Sequence, residues 1–429
     1  MTPEFARQIE EVMPAGGVVS LGELSPHERL PALCDADILR SLQHPIWPAG
    51  RGGSALDLIR PGERVVLVVS DHTRRTHTDR VLPPLLAGWG KRGWDVKEAC
   101  ILVASGIHRR PTPQEIERLL GRETAEAFAG RIFYHNADDD AQLVPVGQTP
   151  RGHVVRLNRL AVEAERLVLI GAASYHYHAG FGGGRKSLVP GLAARATIAY
   201  NHSLTLDPDQ DRIHPLAAMG VLDGNPVSEE MLAGARLRPP DMIVNTVLTP
   251  EGELAGVFSG DMDLAHRAAC RMVERAWRAD VERPADFVVA FASETANWVQ
   301  THKALYNASR AVQPEGRIVL VAPCREGLGD ERFRYWIKKS GTDEIFRGLR
   351  QSPEVLGQTA LSTRMRGART ILVTQMPAAE AADLGIRTAP DLRSAIADTL
   401  EQLPAAGGKP TYFIMPKAPY VVPFPSVSP

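Results

Sequence analysis

Five consecutive aliphatic residues, Val65–Val69, run between a Pro61-Gly62 turn and a strongly polar stretch, Ser70–Thr78 (SDHTRRTHT). A strand with no polar alternation has both faces covered, as a central strand does in a parallel sheet flanked by helices. Parallel neighbours require helical crossovers, so this run points to an α/β chain. The next segments of the chain alternate in the same way. A helical pattern covers Leu82–Lys91, and a strand covers Cys100–Ala104. Thr112-Pro113-Gln114-Glu115 forms a capping box with proline at the first helical position, so a helix starts there. Leu167–Ile170 is a third buried strand. Met242–Leu248 and Glu253–Val257, joined by Thr249-Pro250-Glu251-Gly252, read as a hairpin. Asp263 is the expected cap of a helix that runs to about Trp277.

A second series begins with the strand Phe287–Phe291. It continues with a helix over Trp298–Ala311, a strand at Ile318–Ala322, helices at Glu331–Lys339 and Pro353–Leu361, and a strand at Ile371–Val373. A helix over Ser394–Leu403 and a strand at Tyr412–Met415 complete it. At roughly 150 residues per domain the 429 residues suit two or three domains, with two the better fit for an α/β chain. The expected architecture is two α/β domains with mostly parallel sheets and an active site in the cleft between them. Residues 1–275 form the cofactor-binding domain and 276–407 the domain that closes over substrate. Residues 408–429 are candidates to rejoin the first domain. The tail Val421–Pro429 carries three prolines and no periodicity, and is expected to be loosely held.

Charge and composition exclude several classes. With 49 Lys+Arg against 50 Asp+Glu there is no basic excess of the kind a general nucleic-acid binder carries. No run of about 18 apolar residues is present, so no membrane span is expected. The opening MTPEFARQIEEV has no apolar core of a secretory signal. Cys34, Cys100, Cys270 and Cys324 lie far apart with no CxxC pair. That argues against a disulfide framework or a thiolate zinc site and makes a reducing cytoplasm the default location.

Three polar, histidine-rich segments each come just after a strand end, the edge where open α/β sheets bind ligands. In Asp71–Thr78, Arg74 or Arg75 can grip a carboxylate, with Asp71 and the hydroxyls on a sugar or phosphate; a solvated turn is the equal alternative. In Ser105–Arg110, His108 stands just past a glycine, where an imidazole suits proton transfer; a surface histidine fits equally. Tyr175–Ser187 (YHYHAGFGGGRKS) carries most information. Its glycines can bring backbone N–H groups close to an anion. It matches neither usual nucleotide fingerprint. Arg185 stands where a Walker loop needs glycine, and Gly184 comes one residue early for GxGxxG. His176, His178 and His202 together are a weak divalent-metal alternative, without the carboxylate a hydrolytic zinc site wants.

Taken together these segments resemble the lactate racemase family, the nickel-pincer-nucleotide racemases and epimerases of 2-hydroxy acids. The residues that carry the resemblance are Asp71–Arg74 (DHTR), Gly106-Ile107-His108, the block from His176 to Lys186, Asn201-His202, and Gln300-Thr301-His302-Lys303. Five motifs in the same order at compatible spacing are specific where each alone is weak. The resemblance implies that Lys186 bonds covalently to the cofactor through a thioamide and that His202 is the protein ligand to nickel. It makes His108 and His176 the two acid–base groups, one for each face of the substrate. Arg74, Gln300 and Lys303 would hold the substrate, and Asp71, Thr73 and the Gly182–Gly183–Gly184 turn would seat the ribose and phosphate. Enzymes that make the cofactor are implied partners.

The chemistry stands beside the name. The C2 hydrogen of a 2-hydroxy acid is very weakly acidic, so direct deprotonation by histidine is a poor route to inversion. Removing it as hydride leaves a planar 2-keto acid, and histidine then takes only the hydroxyl proton. No side chain accepts hydride, so a cofactor is required. Nickel held by cofactor donors and one imidazole explains a lone ligand at His202.

This sequence departs from the family pattern near the substrate. Ala292–Gln300 lacks the Gly-Gly-x-Pro-x-Asp run, Val299 replaces a tyrosine, and position 178, commonly aromatic, is His178. The expectation is a retained cofactor and a substrate larger or more polar than lactate, such as an aldonate, with His178 among its contacts. Lactate itself is the alternative. From other classes the rivals are a divalent-metal hydrolase and a non-catalytic sugar-acid-binding protein.

Overall fold

The computed structural model describes residues 9–292, 295–404 and 408–426. It divides into two compact units, Arg29–Ala276 and Trp277–Pro429 together with Met1–Glu28.

The Arg29–Ala276 unit is built on a six-stranded sheet. Its strand order is Leu254–Gly260, Met242–Leu248, Arg166–Ala173, Val65–Ser70, Ala99–Ala104 and Ile132–Tyr134. All neighbours are parallel except the Met242–Leu248/Leu254–Gly260 hairpin. The aliphatic run sits in the middle, as its lack of alternation requires. Val65, Leu67 and Val69 enter one core with the helix residues Val81, Leu82, Leu85 and Trp89. Val66 and Val68 enter a second core on the opposite face with Leu188, Val189 and Leu192. Successive side chains of a strand point to opposite faces, so one pentapeptide seeds both layers.

Chain order reverses at this strand. The chain leaves Val65–Ser70 toward Ala99–Ala104 on one side, then returns to lay Arg166–Ala173 on the other. A crevice opens beyond the strand ends at such a switch point. The three polar segments lie here, each leaving one of three adjacent parallel strands.

The second unit holds a parallel six-stranded sheet in the order Val19–Glu23, Thr411–Met415, Ala285–Phe291, Val312–Val321, Thr370–Val373, Arg387–Ala389. This overturns the expectation for residues 408–429. Thr411–Met415 pairs between Val19–Glu23 and Ala285–Phe291, so the chain's C-terminal strand stays with the second unit and its N-terminal strand crosses over to it. The crossing strand VSLGE is mostly exposed and short of apolar residues, so it carries no buried-strand signature.

The tail is also firmer than expected. Val422–Pro425 pairs in parallel with Arg278–Val281, and Val421 and Val422 are buried. Two-stranded pairing leaves one edge of each strand open, where proline costs no ladder bond. Residues 427–429, and Ser293 and Glu294 of the departing segment, lie outside the described residues. Among the described residues no helix is long and apolar enough to cross a membrane.

The Thr112–Glu115 capping box forms as read. The cap of the Leu264–Trp277 helix differs: Asp261, not Asp263, accepts from the backbone N–H groups of Asp263 and Leu264. Both aspartates satisfy the sequence rule, but the Asp263 carboxylate accepts from Arg267 Nε at 3.0 Å, one helical turn on, and leaves the cap to Asp261.

Candidate active site

The first loop leaves the Val65–Ser70 strand at Asp71, whose side chain is buried. Its Oδ1 accepts from the Thr73 backbone N–H at 3.0 Å and from Thr73 Oγ1 at 2.6 Å, closing a local turn. Its Oδ2 lies 2.5 Å from His108 Nδ1, at the end of the neighbouring strand. Burial alone would push this carboxyl up. The His108 hydrogen bond and charge, with Thr73 and Arg74, hold it below the usual range instead. A carboxylate only accepts, so Nδ1 of His108 carries the proton and Nε2 keeps the lone pair a general base needs. Asp71 and Thr73, expected to seat ribose and phosphate, are thus committed to each other and to His108. Arg74 and Arg75 are exposed on the same loop.

The third loop begins as a two-residue hairpin, Tyr175–His176 against Gly180–Phe181. Within it the N–H groups of His178 and Ala179 both donate to His176 Nδ1, at 3.3 and 3.1 Å. The proton of neutral His176 therefore sits on Nε2, the opposite tautomer from His108. Burial pushes His176 well below its ordinary value, aided by the nearby charges of Lys186, His178, Arg74 and His202. Those four neighbours are all residues that the sequence singles out, and the fold brings them together. Tyr177 stacks on His176 with ring centroids 5.0 Å apart and meets His178 edge-on at 4.3 Å. His178 itself is only 4% exposed, so the ring expected at the substrate is largely sealed among its neighbours.

Beyond the hairpin, Gly184–Ser187 forms a short 3-10 turn that carries Lys186. The glycines before it have a different reason from the expected anion nest. The Gly182 N–H is spent on Ser174 O at 2.7 Å, and the Gly184 N–H on Asn245 Oδ1 at 2.9 Å. Gly183 adopts φ +80°, and a methyl group on it would stand 2.8 Å from Asn245 Oδ1 and 2.9 Å from Ala172 O. These residues are small because the turn is pressed onto the sheet end.

His202 lies in the helix Arg195–Ser203 and is buried. Its Nδ1 donates to Ile198 O at 2.7 Å. That fixes the lone pair on Nε2, the arrangement of an imidazole metal ligand with its second nitrogen anchored. Burial lowers its pKa to about 4, offset in part by the Ile198 bond and helped by Lys186, so the ring is neutral at physiological pH. Among the described residues no group of three or more His, Cys, Asp or Glu side chains is arranged to hold a metal ion, so His176, His178 and His202 form no joint metal site.

Gln300 and Lys303 lie in the second unit, on the helix Trp298–Ala308 that comes after the Ala285–Phe291 strand. Asn297 caps this helix through the Gln300 N–H at 3.2 Å. Trp298, Thr301, His302 and Leu305 face inward, which leaves Gln300 and Lys303, three residues apart, exposed on one face. The sequence reading missed Asn245, His266 and the Asp71–His108 pairing. Asn245 had a usable signal, as a polar residue in an otherwise apolar strand, Met242–Leu248.

Residues 19–213 match the family model described as lactate racemase N-terminal domain. The chain is 31% identical over 313 residues to the lactate racemase of Thermoanaerobacterium thermosaccharolyticum, covering 72% of this chain and 70% of the relative. It is 32% identical over 333 residues to that of Lactiplantibacillus plantarum, covering 76% and 74%. The solved lactate racemase apoprotein from T. thermosaccharolyticum superposes with a TM-score of 0.84 at 26% identity over 96% of each chain. A Thermotoga maritima protein of known structure shares the fold, with a TM-score of 0.67 at 18% identity, covering 92% of this chain and all of that one. Fold, site and relatives together define an enzyme of the isomerase class, a racemase. The chain belongs to the lactate racemase family.

Proposed function

We propose that this racemase inverts the C2 centre of a 2-hydroxy acid by proton-coupled hydride transfer, with His108 and His176 handling the hydroxyl proton on opposite faces of the substrate. The single observation that carries the reading is the gathering of the Asp71–His108 pair, His176, Arg74, Lys186 and His202 around one switch-point crevice.

His108 receives the hydroxyl proton at Nε2 while Asp71 stabilises the imidazolium that forms. Help of this kind is worth roughly 10²–10⁴-fold. His176, neutral with its proton on Nε2, offers a hydrogen bond to the substrate oxygen from the opposite face, and to transfer a proton there it must first exchange the two backbone N–H donors at Nδ1 for a proton. Arg74 grips the carboxylate, and Gln300 and Lys303, exposed on one face of their helix, are proposed as further substrate-binding residues.

The residues present fit a nickel-pincer nucleotide. His202 offers a neutral, anchored Nε2 to the metal, and Lys186 offers an amine on a pinned turn. Beneath that turn the Asn245 Nδ2 is buried without a hydrogen-bond partner among the described residues. When bound, the cofactor supplies the hydride acceptor that no side chain can be. Loading it requires the enzymes that make it.

For the substrate we propose an acid larger or more polar than lactate, such as an aldonate. The support is the altered segment Ala292–Gln300, with the buried imidazole at position 178 acting only through the Tyr177 ring it packs against and the His176 ring stacked on that. Lactate is the second reading, favoured by the names of both curated relatives. The test is a panel of lactate, glycerate and five- and six-carbon aldonates, offered to enzyme co-produced with the cofactor-making enzymes and resolved by chiral chromatography. Inversion of an aldonate at least tenfold more efficient than that of lactate supports the first reading, and the reverse order supports the second. Inversion of neither removes both.

A further inference from the structure

Two buried side chains with no role in the proposed reaction converge on the Lys186 turn from different elements. Asn245, 1% exposed, rises from the Met242–Leu248 strand and accepts the Gly184 N–H at 2.9 Å. His266, also 1% exposed, comes from the Leu264–Trp277 helix and lies 2.8 Å through Nε2 from Gly182 O. A carbonyl only accepts, so Nε2 carries the proton and Nδ1 is the acceptor. Arg185 Nη1 lies 3.0 Å from both ring nitrogens, so the guanidinium packs over the imidazole face, and Arg185 Nη2 donates to Ser228 Oγ at 2.9 Å. Burial pushes the His266 ring well below its ordinary value, with the Arg185 charge adding to the effect, so this tautomer persists across the working pH range.

Packing closes the remaining freedom. A methyl group on Gly184 would stand 2.8 Å from the His266 ring. Both residues that precede the tether are therefore fixed: Gly184 by Asn245 and His266, and Arg185 by His266 and Ser228. A lysine that must form one covalent bond in one place gains from a backbone that cannot wander. We infer that Asn245 and His266 are positioning residues for Lys186, holding its turn in the conformation in which the amine condenses with the cofactor's thiocarboxylic acid, the thioamide C–N bond forming as the C–O bond breaks and water leaves. This rests on the proposed tether at Lys186.

The experiment compares the full chain with Asn245→Ala, His266→Ala, Asn245→Asp and His266→Gln. The last two keep an acceptor for Gly184 and a donor for Gly182. Two readouts are taken on each: amide hydrogen exchange across 182–188 in the apoprotein, and mass added at Lys186 after co-production with the cofactor-making enzymes. Loss of a buried hydrogen bond should speed exchange at Gly184 or its neighbours by roughly tenfold in the alanine variants. The adduct should drop severalfold in these, with both effects reversed in the conservative ones. Unchanged exchange in both alanine variants overturns the inference, whatever Lys186 carries. Faster exchange with undiminished adduct overturns it too. If the unaltered protein gains no mass at Lys186 under loading, the tether fails and the positioning inference falls with it, even with exchange altered as expected. Should the alanine variants not fold, the conservative pair decides: exchange and adduct near the unaltered level support the inference, and loss of both in soluble, cooperatively melting protein contradicts it.

Discussion

Nδ1 of His108 stands 2.5 Å from Oδ2 of Asp71, the two side chains projecting just beyond the ends of adjacent parallel strands. Neither strand end alone makes a catalytic group. The in-register pairing of Ser70 with Ala104 puts a buried acceptor beside an imidazole and fixes its tautomer. Asp71→Asn keeps the size but loses the charge. Steady-state turnover of loaded enzyme is expected to fall roughly 10²–10⁴-fold, while mass added at Lys186 is unchanged. Near-normal turnover would remove the pair from the mechanism.

Acid sensitivity is built in by the buried histidines. Burial holds His135 and His202 at about 4 and His302 at about 3. Between these values and about 6.5 the unfolded chain binds protons that the folded chain refuses, so stability is full above about pH 6.5 and is lost as pH falls toward 4. Each such group contributes up to about 1.4 kcal/mol per pH unit in that window. Asp71, held low, adds a further loss at more acid pH, below its unfolded value. Urea denaturation of apoprotein should show a drop of more than about 1 kcal/mol between pH 7 and pH 5.5. A flat profile would mean these rings are not buried and neutral.

Metal retention separates the two proposed anchors. In His202→Ala the anchored Nε2 is gone but the Lys186 turn is untouched. Elemental analysis of loaded protein should show nickel at background while intact mass still reports the organic adduct. Nickel retained at the level of the unaltered protein would take His202 out of the ligand set.

The fold was legible where burial dictates sequence. Val65–Val69 has no polar residue because both faces are covered, and Thr112–Glu115 announces a helix start by its own hydrogen bonds. What stayed hidden depends on partners distant in sequence. Val19–Glu23 becomes a strand only because Thr411–Met415 offers an edge. The helix Thr342–Gln351 buries only Ile345, Phe346 and Leu349 in an otherwise polar stretch. The site divides in the same way. Its histidines and Lys186 stand in contiguous motifs, whereas Asp71's bond to His108 and Asn245's hold on Gly184 span 37 and 61 residues. The glycines before Lys186 suggested an anion nest; the reason for them, close packing against Ala172, Asn245 and His266, is a tertiary fact.

Substrate preference should respond to position 178. His178→Phe replaces a polar ring with an apolar one against the Tyr177 edge, next to His176. The ratio of kcat/KM for aldonate over lactate is expected to fall at least tenfold, mostly through KM for the aldonate. An unchanged ratio would place the determinants elsewhere, with Ala292–Gln300 the next segment to alter.

The most direct test of the central claim tracks the hydrogen itself. Substrate carrying deuterium at C2 is converted by fully loaded enzyme in ordinary water, and the inverted product is examined by mass spectrometry and NMR. The account predicts deuterium retained at C2 of the product enantiomer or epimer through many turnovers. Replacement by solvent protium at each inversion would contradict it, because the C2 hydrogen would then be leaving as a proton.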